Sequence, residues 1–283
     1  MSAFLNLFKL RIGVAIALAA LAGLAVQSGP ALSPWQVLAV TLAVLVSSSA
    51  AGAFNQYVER DLDARMQRTR GRPFVTGRLA HGPRWLWLIG AMVVGSFLLA
   101  AWAANLVAAA YVFLGAFTYG VVYTVWLKRR TWWNIVVGGL AGSFAVLAGA
   151  AAVSPLPNPD ALVLAVVLFL WTPPHFWSLA IACREDYAAA GVPMLPVVVG
   201  DARAARAILA SAALLVAASL APVFFGMGWI YLACAAAGGG FFLWKCVALV
   251  AAPSRKTALA SFFGSLIQLC CVLFGAMLNV ALA

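Results

Sequence analysis

The chain has 283 residues, 65% hydrophobic and only 9% charged, with a net charge of +11 and a mean hydropathy of +1.03. Soluble domains carry about 25% charged residues, so this chain cannot cover a water-facing surface, and its apolar content excludes disorder. The apolar stretches are long and unbroken rather than alternating, which excludes an outer-membrane barrel and predicts an all-α integral membrane protein.

A hydrocarbon core of about 30 Å takes about 20 apolar residues per helix. On that template a bundle of nine transmembrane helices is expected, at roughly 11–29, 35–57, 85–103, 105–127, 132–153, 160–183, 203–223, 228–250 and 258–281. Lys9 and Arg11 give the first span the flank of a signal peptide, but its length and the spans that follow favour a retained helix. The remaining Lys and Arg residues lie between spans 2 and 3 (Arg60 to Arg84) and 4 and 5 (Lys128 to Arg130), flank the connection between spans 6 and 7 (Arg184, Arg203, Arg206), precede span 9 (Arg255, Lys256) or sit near that end of span 8 within snorkelling reach (Lys245). All 18 therefore share one side. The positive-inside rule makes that side the cytoplasm, with the N-terminus cytoplasmic and the C-terminus outside. No basic-aromatic module accompanies the charge, so nucleic acid is not an expected partner. Five cysteines lie in apolar runs without CxxC or CxxCH spacing, which argues against disulfides, zinc or covalent haem.

Two cytoplasmic connections are long and polar, 58–84 and 184–202, and are expected to lie over a central cavity; they hold every acidic residue except Asp160. In the first, Asn55, Glu59 and Asp63 recur at helical spacing and share a face, while Asp61 points the other way. An amide and two carboxylates suit a hard cation such as Mg²⁺, completed by waters and substrate phosphate. Arg65, Arg68, Arg70 and Arg72 follow, read either as phosphate ligands or as the basic bias of any cytoplasmic loop. The second loop adds Arg184, Glu185, Asp186 and Tyr187, a carboxylate pair able to face the first, or a solvated turn ended by Gly191 and Pro193.

Span 6 carries Trp171-Thr172-Pro173-Pro174-His175-Phe176-Trp177. Two prolines free the carbonyls of Phe169 and Leu170 and predict a kinked or broken helix lining a cavity. An intramembrane His175 needs a partner: haem iron, a substrate carboxylate, or one of the freed carbonyls. His81 reads as solvated, Asn105 and Asp160 as N-caps, and Gly138-x-x-x-Gly142 and Gly238-Gly239-Gly240 as sites of close helix packing.

These segments resemble the UbiA-type intramembrane prenyltransferase superfamily, and within it the protohaem IX farnesyltransferase branch. The superfamily's Asn-x-x-x-Asp-x-x-x-Asp is similar to Asn55, Glu59 and Asp63, with Glu at the centre. The branch is carried by Asn55–Asp63, by Thr69-Arg70-Gly71-Arg72-Pro73, and most specifically by Thr172 to Trp177 and by Asp186-Tyr187 with Gly191-Val192-Pro193-Met194-Leu195-Pro196. The resemblance spans nearly the whole chain. It departs where the superfamily often has Asp-x-x-x-Asp in the second loop, because Ala190 follows Asp186; a second metal would then use Glu185 or fewer protein ligands.

The resemblance implies transfer of farnesyl from farnesyl diphosphate to a vinyl group of haem B, with water added, giving haem O and diphosphate. It implies Mg²⁺ on Asn55, Glu59, Asp63, Glu185 and Asp186, with Asn55, Glu59, Asp63 and Asp186 as the catalytic set. Arg68, Arg70 and Arg72 would meet diphosphate or propionates, and His175 the haem. Arg60, Arg65, Lys128, Arg184 and Tyr187 complete the candidate substrate-binding residues. The chain is expected as one domain, 1–283, with half-bundles of about 1–130 and 131–283, in the bacterial inner membrane with the site facing the cytoplasm. Membrane lipid surrounds it, and haem A synthase or a second copy of the chain is a candidate partner. The rivals are a prenyltransferase acting on 4-hydroxybenzoate and a transporter of an anionic solute.

Overall fold

The computed structural model describes residues 2–282. Its helices are α1 (Ser2–Leu7), α2 (Leu10–Val26), α3 (Pro34–Val58), α4 (Arg60–Arg65), α5 (Arg84–Ala103), α6 (Leu106–Phe117), α7 (Asn134–Gly138), α8 (Leu140–Val153), α9 (Pro159–Ala182), α10 (Arg184–Ala189), α11 (Leu195–Val199), α12 (Asp201–Leu220), α13 (Trp229–Ala251) and α14 (Arg255–Ala281). α6 runs on as a π-helix over Thr118–Leu127, and α12 closes in a 3₁₀ turn, Ala221–Phe225. No strand occurs among the described residues.

Among the described residues, eight stretches are long and apolar enough to cross a membrane: α3, α5, α6 with its π continuation, α7 with α8, α9, α12 with its turn, α13 and α14. The first expected span is the exception. α2 is apolar but has 17 residues, short of the roughly 20 that a straight crossing takes.

Capping side chains set the boundaries. Ser33 and Gln36 form a capping box before Pro34 at the start of α3, and Ser254 and Thr257 form one at α14. Asn105 caps α6, its side chain accepting from Ala108 N, as expected. Asp160 does not cap α9. Asn158 does, accepting from Ala161 N, with Pro159 in the first helical position where its missing N–H costs nothing. α9 is also not broken at Pro173 and Pro174: it is assigned as one helix from Pro159 to Ala182.

The helices associate through small residues, as helices in lipid must when burial of apolar surface gives no advantage. α2 packs against α3, α8, α9 and α14. Where it crosses α8, a methyl group added at Gly23 would overlap the Val146 carbonyl, and one at Gly149 the Ala20 carbonyl. Gly238 and Gly275 give the same closeness between α13 and α14, against Cys271 and Cys234. Gly138 meets Tyr123 and Gly142 meets Leu168, whereas Gly240 faces open space. Outward, α5 shows Trp87, Val94, Leu98 and Trp102, each more than half exposed. Apolar side chains turned outward from an apolar bundle mark an integral membrane protein.

Candidate active site

α3 stops at Glu59 (φ −93°, ψ 14°) and α4 restarts at Arg60. The stripe survives the break because Glu59 N donates to Asn55 O at 3.0 Å and Asp63 N to Glu59 O at 2.8 Å. Asn55, Glu59 and Asp63 therefore keep one face, and all three are buried, the two carboxylates completely.

Each meets a cation from a different part of the chain. Lys9 Nζ, from the turn between α1 and α2, donates to Asn55 Oδ1 at 2.7 Å. Lys128 Nζ, at the end of the π-helix, donates to Glu59 Oε2 at 2.5 Å. Arg72 Nη1 donates to both Asp63 oxygens, at 2.6 and 2.7 Å. Charges so deeply buried persist only when paired. Burial lifts Asp63 above the ordinary aspartate range, and the Arg72 guanidinium offsets part of that rise.

The π-helix fixes the other side of Asn55. Thr124 Oγ1 donates to Tyr119 O at 2.8 Å and accepts from Asn55 Nδ2 at 3.1 Å. π-helical segments concentrate at functional sites, and this one brings Tyr119, Thr124 and Lys128 to the stripe. Glu59 Oε1 is buried with no hydrogen-bond partner, an acceptor in need of a cation or donor.

The second polar loop reaches the first with side chains, and Asp186 takes hold of the first loop's backbone. Asp186 Oδ1 and Oδ2 accept from the amides of Gln67 and Arg68 at 3.0 and 3.1 Å, and Arg68 Nη2 donates to Tyr187 Oη at 3.4 Å. Glu185 is exposed, and Arg184 pairs with Asp201 at 3.4 Å. Among the described residues no three carboxylate, histidine or cysteine side chains converge. The chain gathers Asn55, Glu59, Asp63, Arg72 and Lys128; Asp186, Arg68 and Tyr187 hold the two loops together. Arg60, Arg65 and Arg70 are exposed. Asp61, as expected, faces away and pairs with Arg129 at 2.8 Å, a bond that depresses its pKa.

His175 is buried between the rings of Trp171 and Phe262, at centroid distances of 4.0 and 4.3 Å, with Nδ1 2.7 Å from Ser265 Oγ on α14. Ser265 Oγ donates to Phe262 O at 2.6 Å, so it accepts from His175 Nδ1–H. Of the three partners open to His175, a freed carbonyl of its own helix is not the one that Nδ1 meets; the ring bridges to α14 instead. His81 is exposed yet not free: it stacks on Tyr57 at 4.1 Å. It also lines a cavity of about 510 Å³ with Tyr57, Val58, Arg60, Asp61, Ala64 and Val75, on the flank of the first loop that excludes the stripe. Lys9, Tyr119 and Thr124 were not among the site residues expected from sequence. Only the position of Lys9, at the mouth of the first span, gave a signal.

Residues 16–267 match the sequence model of the UbiA prenyltransferase family. The chain belongs to the UbiA prenyltransferase family. Among its UbiA-family relatives, the protoheme IX farnesyltransferase 2 of Paramagnetospirillum magneticum is 59% identical over 278 residues, 98% of this chain and 96% of that one. A structure of digeranylgeranylglyceryl phosphate synthase superposes with a TM-score of 0.81 over 100% of this chain and 99% of its own, at 17% identity. A UbiA homolog from Archaeoglobus fulgidus, bound to DMAPP and Mg²⁺, gives 0.72 over 99% and 100%, at 15% identity. At those identities the structures establish the UbiA fold.

Proposed function

We propose that this chain transfers the farnesyl group of farnesyl diphosphate to a vinyl group of haem B, with addition of water, releasing diphosphate and haem O. The choice of acceptor rests on one observation, the 59% identity along nearly the whole chain to a protoheme IX farnesyltransferase. The choice of a diphosphate donor is supported by the buried amide-carboxylate stripe with its ring of cations.

The stripe fits a divalent metal. Glu59 Oε1 is buried and unpartnered, and Asn55 Oδ1 and Asp63 lie one turn to either side of it. We assign Mg²⁺ to Asn55, Glu59 and Asp63 and leave out Asp186, whose two oxygens are taken by the amides of Gln67 and Arg68, and Glu185, which is exposed. Bound there, Mg²⁺ would add positive charge against the departing diphosphate. Arg72 and Lys128 already stand at the stripe and would turn from carboxylate to phosphate oxygens, stabilising the negative charge that grows as the allylic C–O bond breaks. Arg60, Arg65, Arg68, Arg70, Arg184 and Tyr187 would guide the diphosphate or the haem propionates at the rim. His175, fixed through Nδ1, offers Nε2 to the haem.

In this reading α2 is the ninth span, tilted little and lined by small residues. The chain is one domain, 1–283, of two half-bundles, about 1–130 and 131–283. The polar loops face the cytoplasm across a bacterial inner membrane and close over a cavity. A haem A synthase, which would consume the product, and a second copy of the chain are the candidate partners.

Purified protein in detergent, given labelled farnesyl diphosphate with either haem B or 4-hydroxybenzoate, tests the reading. Label appearing in haem O, stopping with EDTA and returning with Mg²⁺, is the expected result. Label in the benzoate would reassign the acceptor. No release of diphosphate with either would revive a transport role.

A further inference from the structure

Two of the three cations at the stripe are neutralised and one is not. Lys128 pairs with Glu59 and Arg72 with Asp63. Lys9 Nζ donates instead to two neutral oxygens, Asn55 Oδ1 at 2.7 Å and Tyr119 Oη at 2.9 Å. Among the described residues no carboxylate forms an ion pair with it. An ammonium withdrawn from water without a counter-ion is costly.

The backbone is strained to put it there. Lys9 has φ 48° and ψ 42°, and no other non-glycine residue among those described has a positive φ. This left-handed conformation is unfavourable for a residue with a side chain and persists only where the surroundings over-determine it. They do so here. Gln56 Nε2, itself buried, donates to Asn6 O at 2.8 Å and Leu7 O at 3.2 Å, fixing the end of α1. Leu7 is fully buried in a cluster with Ala50, Ala53, Phe74 and Ile89. Gly52 leaves the lane for the lysine stem, which a Cβ at that position would meet at 3.4 Å.

The geometry points to Lys9 as a ligand of the donor's diphosphate, its ammonium held by Asn55 and Tyr119 and its third N–H kept for a phosphate oxygen. The charge at the stripe asks for such an anion: three cations stand against two carboxylates. An ammonium carries three donors and two are spent inside the protein. Asn55 Oδ1 keeps a second lone pair, so Lys9 also orients that oxygen. The assignment rests on the proposed function for the identity of the donor. A haem propionate offers the same oxyanion chemistry, and the test separates the two.

The test uses the full chain in detergent with Mg²⁺, titrated with inorganic diphosphate and separately with haem B. Lys9→Asn removes the cation while suiting the left-handed turn, which asparagine adopts readily. Lys9→Arg keeps the charge. Diphosphate binding is expected to weaken by roughly 10- to 100-fold in K9N, the size of one charge-assisted hydrogen bond. It should survive largely in K9R, with haem B binding unchanged in both and the melting temperature of K9N not lowered. Wild-type diphosphate affinity in K9N would overturn the assignment, as would a loss confined to haem B. Should K9N not fold, Lys9→Met replaces it, and wild-type affinity there overturns the assignment equally. Wild-type protein that binds diphosphate through Lys9 but transfers no farnesyl to haem B would sink the proposed acceptor and leave this inference standing.

Discussion

The two polar loops contain the same kinds of residue and use them differently. In the first, Glu59 and Asp63 lie fully buried, each against one cation. In the second, Asp186 spends both oxygens on the amides of Gln67 and Arg68, and Glu185 stands in solvent. The first loop thus holds charge at high energy in a water-poor place, where bringing an anion or metal changes the balance most. The second loop supplies a clasp. A carboxylate's chemistry comes from where the backbone puts it, not from its presence in an acidic cluster.

Substitutions in the two loops can break that contrast. The largest effect is expected at the stripe. Glu59→Gln and Asp63→Asn keep size and shape, and should lower haem O formation by about 100- to 1,000-fold, read by chromatography of extracted haems. Near-normal output from both would remove the metal assignment. Next comes stability: Lys128→Met leaves Glu59 as a buried lone charge and should cost about 3–5 kcal/mol. K128M combined with Glu59→Gln should recover most of that in denaturant melts; a double variant as unstable as the sum would show that the pair is not coupled. Asp186→Asn puts a donor NH2 against one of the two amides, so one hydrogen bond is lost and the other keeps the loops in contact without charge assistance. About a 10-fold loss of activity is expected, and a loss as deep as that of D63N would make Asp186 a metal ligand after all. Glu185→Gln should change activity less than about twofold, because an exposed side chain with no partner has little to lose. A larger drop would restore it to the second metal site.

Much of the bundle was legible because lipid imposes a simple rule, about 20 apolar residues per crossing. The expected edges, such as 35–57 and 85–103, fall within a residue or two of Pro34–Val58 and Arg84–Ala103. The stripe was legible because Asn55, Glu59 and Asp63 are neighbours by helical period alone. What sequence spacing does not carry is who meets them. Lys9 comes from 46 positions away and Lys128 from 69, and such pairings follow from packing. His175 looked like a residue in want of a partner (haem iron, a substrate carboxylate or a freed carbonyl), and its Nδ1 meets Ser265, 90 residues on. Asp160 lost the capping position to Asn158 because Pro159 begins the helix two residues earlier than a cap at Asp160 would allow.

The π-helix has a bearing on insertions and deletions. Lys128 N bonds to Tyr123 O, five residues back rather than four, so the stretch carries surplus chain relative to an ordinary α-helix. Removing one residue between Thr118 and Leu127 would let the segment tighten and turn everything beyond it by about 100°. Lys128 would swing off Glu59, although no atom of the loop that follows had changed. The angular phase of the catalytic mouth is thus metered inside the greasy part of the sixth helix, and a mutation there, far from any charge, can mistune it.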